Sequence, residues 1–203
     1  MKRSDRAQDR TVSAIILAAG ESKRMGQPKM LLSWGDTTVL GRVIEILQAA
    51  GIKDILVITG GVREQVEALV AQYGSRTTFN ESYTSGEMLS SIQRGLEAQK
   101  PQAQATLICL GDQPQVQEGT VLRILQAWEQ TGASLLVPSY DMRRGHPWLA
   151  ARELWDEMLA MHPPETPRDF LNRHAREIRY IEVDNPSVLA DLDTPQDYLK
   201  YKP

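Results

Sequence analysis

Ser13–Ala19, Ile55–Thr59, Thr106–Leu110 and Ser134–Pro138 are short, continuous apolar runs, each followed by glycine or a polar residue. Such runs suit strands buried on both faces of a sheet. Stretches of helical periodicity lie between them. Val39–Ala50 carries Val39, Leu40, Val43, Ile44 and Leu47 on one face and is closed by Gly51. Val62–Tyr73 repeats the pattern through Val66, Leu69 and Val70, Ser90–Ala98 opens on a serine cap, and Thr120–Thr131 follows. Thr77–Asn80 reads as a further short strand. This alternation predicts an α/β chain of three layers: a mostly parallel sheet with helices on both faces, joined by right-handed crossovers.

Beyond Pro138 the pattern loosens. Tyr140–Pro147 reads as a basic loop, Trp148–Met161 as mostly helical up to Pro163-Pro164, Asp169–Ala175 as a short helix, and Ile178–Val183 as an alternating strand. Thr194 is placed to cap a terminal helix with Pro195 in its first turn.

A chain of 203 residues can bury one good core, so one domain over 1–203 is expected, with the charged residues 1–11 as a flexible tail. The net charge of -3 gives no electrostatic footprint for nucleic acid or a membrane surface. No apolar stretch is long enough to span a bilayer and no secretory segment follows the start, so a cytoplasmic protein is expected. The single cysteine, Cys109, rules out an internal disulfide and lies in an apolar run, as a core residue does. Trp34, Trp128, Trp148 and Trp155 read as packing residues, and no role falls on His162 or His174.

Ligands of open α/β sheets collect at the carboxyl ends of the strands. Three polar stations fall there. The first is Leu17–Lys29, L-A-A-G-E-S-K-R-M-G-Q-P-K, which combines Gly20 and Gly26 with the cations Lys23, Arg24 and Lys29. Small residues let a backbone approach a ligand closely, and amide N–H groups with cations suit a polyphosphate. It is neither a P-loop, since Gln27 follows Gly26, nor a dinucleotide fingerprint. The second station is Gly111-Asp112-Gln113-Pro114, where Asp112 suits Mg²⁺ brought by a nucleoside triphosphate. The third is Asp191-Leu192-Asp193-Thr194-Pro195, whose carboxylates suit either a divalent ion or the cap of the last helix. Gly86-Glu87-Met88-Leu89-Ser90-Ser91 reads as a small-residue loop before a helix, whose serines and backbone amides suit a contact to base or sugar, while Ser90 equally suits the cap of that helix. Arg143-Arg144-Gly145-His146-Pro147 suits an anionic acceptor.

L-A-A-G-x-S-x-R-M-G-x-x-K, then G-D-Q-P, G-H-P and D-L-D-T-P-x-D, in this order and over nearly the whole chain, resemble the MobA-like molybdenum-cofactor nucleotidyltransferase family. G-D-Q-P and G-H-P are closer to its cytidylyltransferase branch than to its guanylyltransferase branch. The resemblance implies a fold like that of the nucleotide-diphospho-sugar transferases, related to the Rossmann type. It implies nucleotide contacts at Leu17, Ala18, Ala19, Gly20, Arg24, Gly26, Lys29 and Ser90, Mg²⁺ on Asp112 and Asp193 with Asp191 as the alternative, and acceptor contacts at Arg144 and His146.

The implied reaction moves CMP from CTP to the phosphate of molybdopterin cofactor and releases pyrophosphate, with Lys29, Arg24 and Asp112 as the catalytic set. A transient contact with a molybdoenzyme chaperone is implied as well. One departure stands out. The family's cytidylyltransferases carry a glycine-rich segment with an arginine beyond G-H-P. Here Pro163–Phe170 keeps an arginine at Arg168 without the glycines. A sugar or alcohol phosphate therefore stays open as the acceptor, and a non-catalytic nucleotide- or cofactor-binding module stays open as a reading of another class.

Overall fold

A computed structural model describes residues 11–84 and 88–203. The expected flexible tail falls, up to residue 10, outside the described residues. In chain order the elements are β1 (Val12–Ala18), β2 (Ser33–Trp34), β3 (Thr37–Thr38), α1 (Val39–Ala49), β4 (Ile55–Thr59), α2 (Arg63–Gln72), β5 (Arg76–Phe79), α3 (Met88–Glu97), β6 (Ala105–Leu110), α4 (Glu118–Thr131), β7 (Leu135–Tyr140), β8 (Arg143–Arg144), β9 (Trp148–Ala151), α5 (Trp155–Ala160), α6 (Pro167–Arg173), β10 (Arg179–Glu182) and α7 (Pro195–Tyr201).

The main sheet runs β10-β7-β9-β6-β1-β4-β5, with β8 paired to β7. β1 is central and pairs in parallel with both β4 and β6. Its alternate residues feed two cores. Ala14, Ile16 and Ala18 pack with α1, α2 and α4, whereas Ile15, Leu17 and Ala19 pack with α3, α5 and α6. The three layers expected from the sequence follow directly from that alternation.

The sheet is not parallel throughout. Trp148–Ala151, expected to open a helix, is instead a strand between β6 and β7, antiparallel to both. A buried four-residue run cannot be told from the start of a helix by periodicity. The true helix begins at Trp155, after a 3-10 turn over Arg152–Leu154. Tyr140–Pro147 is also more ordered than expected. Asp141 (φ 46) and Met142 (φ 62) form the two-residue turn of a β7–β8 hairpin. Such turns take φ > 0 at both centres and are usually signalled by Asn-Gly or Asp-Gly, which this sequence lacks. α3 starts at Met88, so Ser90 lies inside it rather than capping it; the residues just before Met88 lie outside the described residues. α6 starts at Pro167, two positions before the expected start, behind a Thr166–Asp169 capping box.

α7 begins as the sequence predicts, with Thr194 as cap and Pro195 at its start. Tyr198 of α7 donates to Ser33 O at 2.6 Å, and Leu192 packs with Trp34 and Val39. The Leu192 N–H donates to Asp112 O at 3.2 Å. These contacts bring Asp191 and Asp193 to the carboxyl end of β6. All four tryptophans are buried, as is Cys109, whose pKa is driven upward by burial; it is a core residue. Among the described residues no helix is long and apolar enough to cross a membrane.

Candidate active site

The loop after β1 is held by its own backbone. Ser22 (φ 55) accepts at its carbonyl from the N–H of Met25 and Gly26, and its Oγ accepts from the N–H of Lys29. Gly26 turns the chain at φ 71, and buried Met25 anchors the loop to the protein. A Cβ built on Gly20 would meet no protein atom within 4 Å. The glycine relieves no clash in the fold, so it keeps space open at the end of β1.

Lys29 opens a short 3-10 turn and sends its ammonium between two carboxylates. Its Nζ bonds Asp112 Oδ2 and lies 3.4 Å from Asp193 Oδ1, while Arg24 pairs with Asp193 Oδ2 at 2.9 Å. Asp112 comes from the turn after β6, and Asp193 from the segment before α7. Asp191, left open as the alternative to Asp193, lies in the same cleft and accepts from Gln113 Nε2 at 2.8 Å. Burial raises its pKa, with Asp112 and Asp193 adding to the effect.

Lys29, Asp112, Asp193 and Arg24 line a cleft of about 360 Å³ together with Leu17, Ala19, Gly20, Met30, Tyr83, Met88, Ser91, Leu110 and Asp191. A smaller hollow of about 260 Å³ continues it over Gly20–Arg24. Of the eight expected nucleotide contacts, Leu17, Ala19, Gly20, Arg24 and Lys29 line the cleft. Ala18 points into the core, Gly26 serves the loop's turn, and Ser90 bonds Asn80; these three do not line it. The serine that does is Ser91, in the same stretch. Met88 falls in that stretch as well, whereas Tyr83 carried no motif and was not legible.

A second, larger cavity of about 830 Å³ adjoins the first and shares Met88 with it. Arg143, Arg144, His146 and Arg168 line it, with Trp148, Asn172 and Tyr180. The sequence singled out the cations but not their supports. Arg144 donates to Asn172 Oδ1 at 2.8 Å and to Tyr180 OH at 3.0 Å, which fixes its guanidinium. His146 lines the cavity half-buried, and burial lowers its pKa to about 4. It is therefore neutral near pH 7 and offers a hydrogen bond, not a positive charge.

His174 ties this cavity's wall to the layer behind it. Its Nε2 lies 2.7 Å from Glu157 of α5 and its Nδ1 3.0 Å from Glu177, and Phe170 packs on the ring. Burial lowers its pKa, but the bonds to Glu177 and Glu157 outweigh this, and the net shift is upward from 6.5. A raised folded pKa means the contribution to stability is whole below the unfolded value and is lost as pH rises through the folded one. Wild type is expected to lose melting temperature as pH rises from about 6.5, and His174→Gln to flatten that slope. Superimposable pH profiles for the two proteins would show that the imidazolium adds nothing.

The arrangement suits nucleotide chemistry. One cleft joins a backbone loop with cations to a pair of carboxylates that already share one cation, and a cation-lined cavity opens beside it. Sheet, loop and carboxylates together define the nucleotidyltransferase class. The comparisons agree. Residues 14–178 match the MobA-like NTP transferase domain, and the chain belongs to that family. The molybdenum cofactor cytidylyltransferase of Escherichia coli (strain K12) is 27% identical over 193 residues, 94% of this chain and 95% of that protein. The crystal structure of Rv0371c from Mycobacterium tuberculosis H37Rv superposes with a TM-score of 0.84 at 29% identity, covering 95% of this chain and 97% of that one. Its complex with manganese superposes at 0.78 and 28% identity, covering 95% and 98%. The protein is thus an enzyme of the nucleotidyltransferase type.

Proposed function

We propose that this enzyme transfers CMP from CTP to the phosphate of molybdopterin cofactor, releasing pyrophosphate, with Mg²⁺ as its divalent ion. The observation that carries the reading is the meeting of Lys29, Asp112 and Asp193 in a cleft that shares Met88 with the arginine-lined cavity. The similarity to a molybdenum cofactor cytidylyltransferase along nearly the whole chain supports the acceptor and the base.

The donor set fits Mg²⁺ arriving with a triphosphate. Among the described residues no three of His, Cys, Asp and Glu cluster closely enough to hold a metal alone. Mg²⁺ is commonly held by only one or two carboxylates, with phosphate oxygens and water completing the shell. Asp112 and Asp193 would be those carboxylates, and the ion would neutralise phosphate charge between them. The manganese complex of a relative supports a divalent ion in the family.

In the reaction, an oxygen of the acceptor phosphate attacks the α-phosphorus, and the bond from that phosphorus to the oxygen bridging it to the β-phosphate breaks, the electron pair leaving with pyrophosphate. The acceptor phosphate is already ionised near neutral pH, so no proton has to be removed first. Lys29 and Arg24 sit where charge builds on the leaving pyrophosphate. Arg144, clamped by Asn172 and Tyr180, with Arg168 and Arg143, would hold the acceptor in line. The arginine kept at Arg168 despite the lost glycines lines this cavity, and that supports an anionic acceptor. His146, being neutral, would hydrogen-bond an uncharged part of it. The reading places the enzyme in the cytoplasm, in transient contact with a molybdoenzyme chaperone.

Pyrophosphate release measured with each nucleotide, Mg²⁺ and a panel of acceptors tests this. Release chiefly with CTP and the molybdopterin cofactor is expected. Equal turnover of a sugar or alcohol phosphate with none of the pterin would reject the acceptor, and tight nucleotide binding without release would favour a binding module.

Ala19 is the expected gate against purines. It lines the cleft at the end of β1, and behind it Gly60 is so close that a Cβ there would lie 2.2 Å from Ala19 O. The strand end therefore cannot retreat from a bulky base. One methyl group is worth only ~1–3 kcal/mol of discrimination. Ala19→Gly is expected to narrow the gap in kcat/KM between CTP and GTP without making GTP preferred. An unmoved ratio would place base selection elsewhere.

A further inference from the structure

Asn80 follows β5 and is 4% exposed. Its Oδ1 accepts from the backbone N–H of Ser82 at 3.0 Å. A backbone N–H can only donate, so this bond fixes which end of the amide is oxygen. The Nδ2 end therefore faces α3, where it donates to Ser90 Oγ and Ser91 Oγ, both at 3.0 Å. Both hydrogens of the amide are spoken for. A hydroxyl that accepts from an amide turns its own proton elsewhere.

For Ser91 the cleft is one such direction. Its Oγ has Asn80 as its side-chain hydrogen-bond partner among the described residues, and the residue lines the nucleotide cleft. The cleft has two chemically distinct parts. Lys29, Arg24, Asp112 and Asp193 form the charged one. Leu17, Ala19 and Tyr83 belong with α3 residues Leu89 and Ile92, the neighbours of Ser91, to one apolar cluster. A base belongs in the second part and the phosphates in the first.

We propose that Asn80 is a positioning residue that fixes Ser91 as a hydrogen-bond donor toward the nucleotide base, and so selects a ring nitrogen that accepts. The proposal rests on the cytidine reading above and deepens it. Cytosine presents a bare N3 there, whereas N3 of uracil carries a hydrogen. Two donors would then face each other, and the buried hydroxyl proton would go unpaired. Ala19 would thus exclude large bases, and the Asn80–Ser91 pair would separate the two pyrimidines.

The test is binding of CTP and of UTP to the whole protein with Mg²⁺ and no acceptor, by calorimetry. Wild type, Asn80→Asp and Ser91→Ala are compared, with circular dichroism and melting temperature reporting the fold. In Asn80→Asp the side chain keeps its shape and its bond from Ser82, but it can now only accept from the serines. Ser91 then turns a lone pair to the cleft, and the CTP:UTP affinity ratio falls by about tenfold or more. Ser91→Ala leaves Asn80 bonded to Ser82 and Ser90 and loses the preference from both sides, CTP losing its donor and UTP losing the opposed one, so it keeps the test decisive if the buried carboxylate weakens the fold. A wild-type preference for CTP that survives in folded Ser91→Ala, with both affinities falling together, would overturn the proposal and leave Asn80 a structural tie. Wild type that binds UTP as tightly as CTP would overturn the cytidine reading itself, and this proposal with it.

Discussion

Asp112→Asn is expected to lower kcat by roughly 10³-fold, about 4 kcal/mol of transition-state stabilisation, with little change in melting temperature. Asp112 is held at the end of β6 by backbone, its carbonyl accepting from the Leu192 N–H, and that bond survives the substitution. Lys29 keeps Asp193 as a partner. What the variant loses is one of the two negative groups that share a cation, and an amide is a far poorer ligand for a hard divalent ion. Turnover should then need much more Mg²⁺ or fail at any concentration. A titration of turnover against Mg²⁺ checks this, and an unchanged Mg²⁺ dependence would reject Asp112 as a ligand.

Lys29→Ala is expected to lower kcat by about 10²–10³-fold, with kcat/KM falling in parallel because the lost contact is made to charge that develops in the transition state. From the sequence, Lys29 lies in a polar loop, so its loss is expected to weaken catalysis more than folding. The structure gives Lys29 a part in stability. Its side chain is only 13% exposed and neutralises two carboxylates at once. Among the described residues, removing it leaves Asp112 with no ion-pair partner and Asp193 with Arg24. The variant should therefore melt earlier than wild type in chelator and recover part of the loss when Mg²⁺ is added, since a ligand bound only by the folded state stabilises it. Normal activity beside a large fall in melting temperature would make Lys29 purely structural.

The parts of the molecule that could be read beforehand share a physical cause. β1, β4, β6 and β7 are long enough, and buried enough, for the strand to be written in uninterrupted apolar residues. Thr194 and Pro195 announce α7 because a cap and a first-turn proline act locally. Lys29, Asp112 and Asp193 were each visible at a strand end or before a helix, and the open-sheet rule already gathers such positions. What escaped depends on distant partners. β9 is a strand only because β6 and β7 flank it. Arg144 is fixed by Asn172, 28 residues on, and Tyr180, 36 residues on, neither of which carries a motif. Ser91 rather than Ser90 faces the cleft because α3 starts at Met88, a matter of one position on a helix. Asn80 takes its meaning from Ser82 on one side and two helical serines on the other.

The central claim is transfer of a nucleotidyl group to a phosphorylated acceptor, and it is tested most directly by following the label. CTP carrying radiolabel at the α-phosphate, incubated with the enzyme, Mg²⁺ and molybdopterin cofactor, should pass that label to the cofactor. The same experiment with label at the γ-phosphate should deliver it only to pyrophosphate. Both transfers should need the acceptor and stop in chelator. Label that stays in CTP, or that appears as free CMP with no labelled cofactor, would contradict the account.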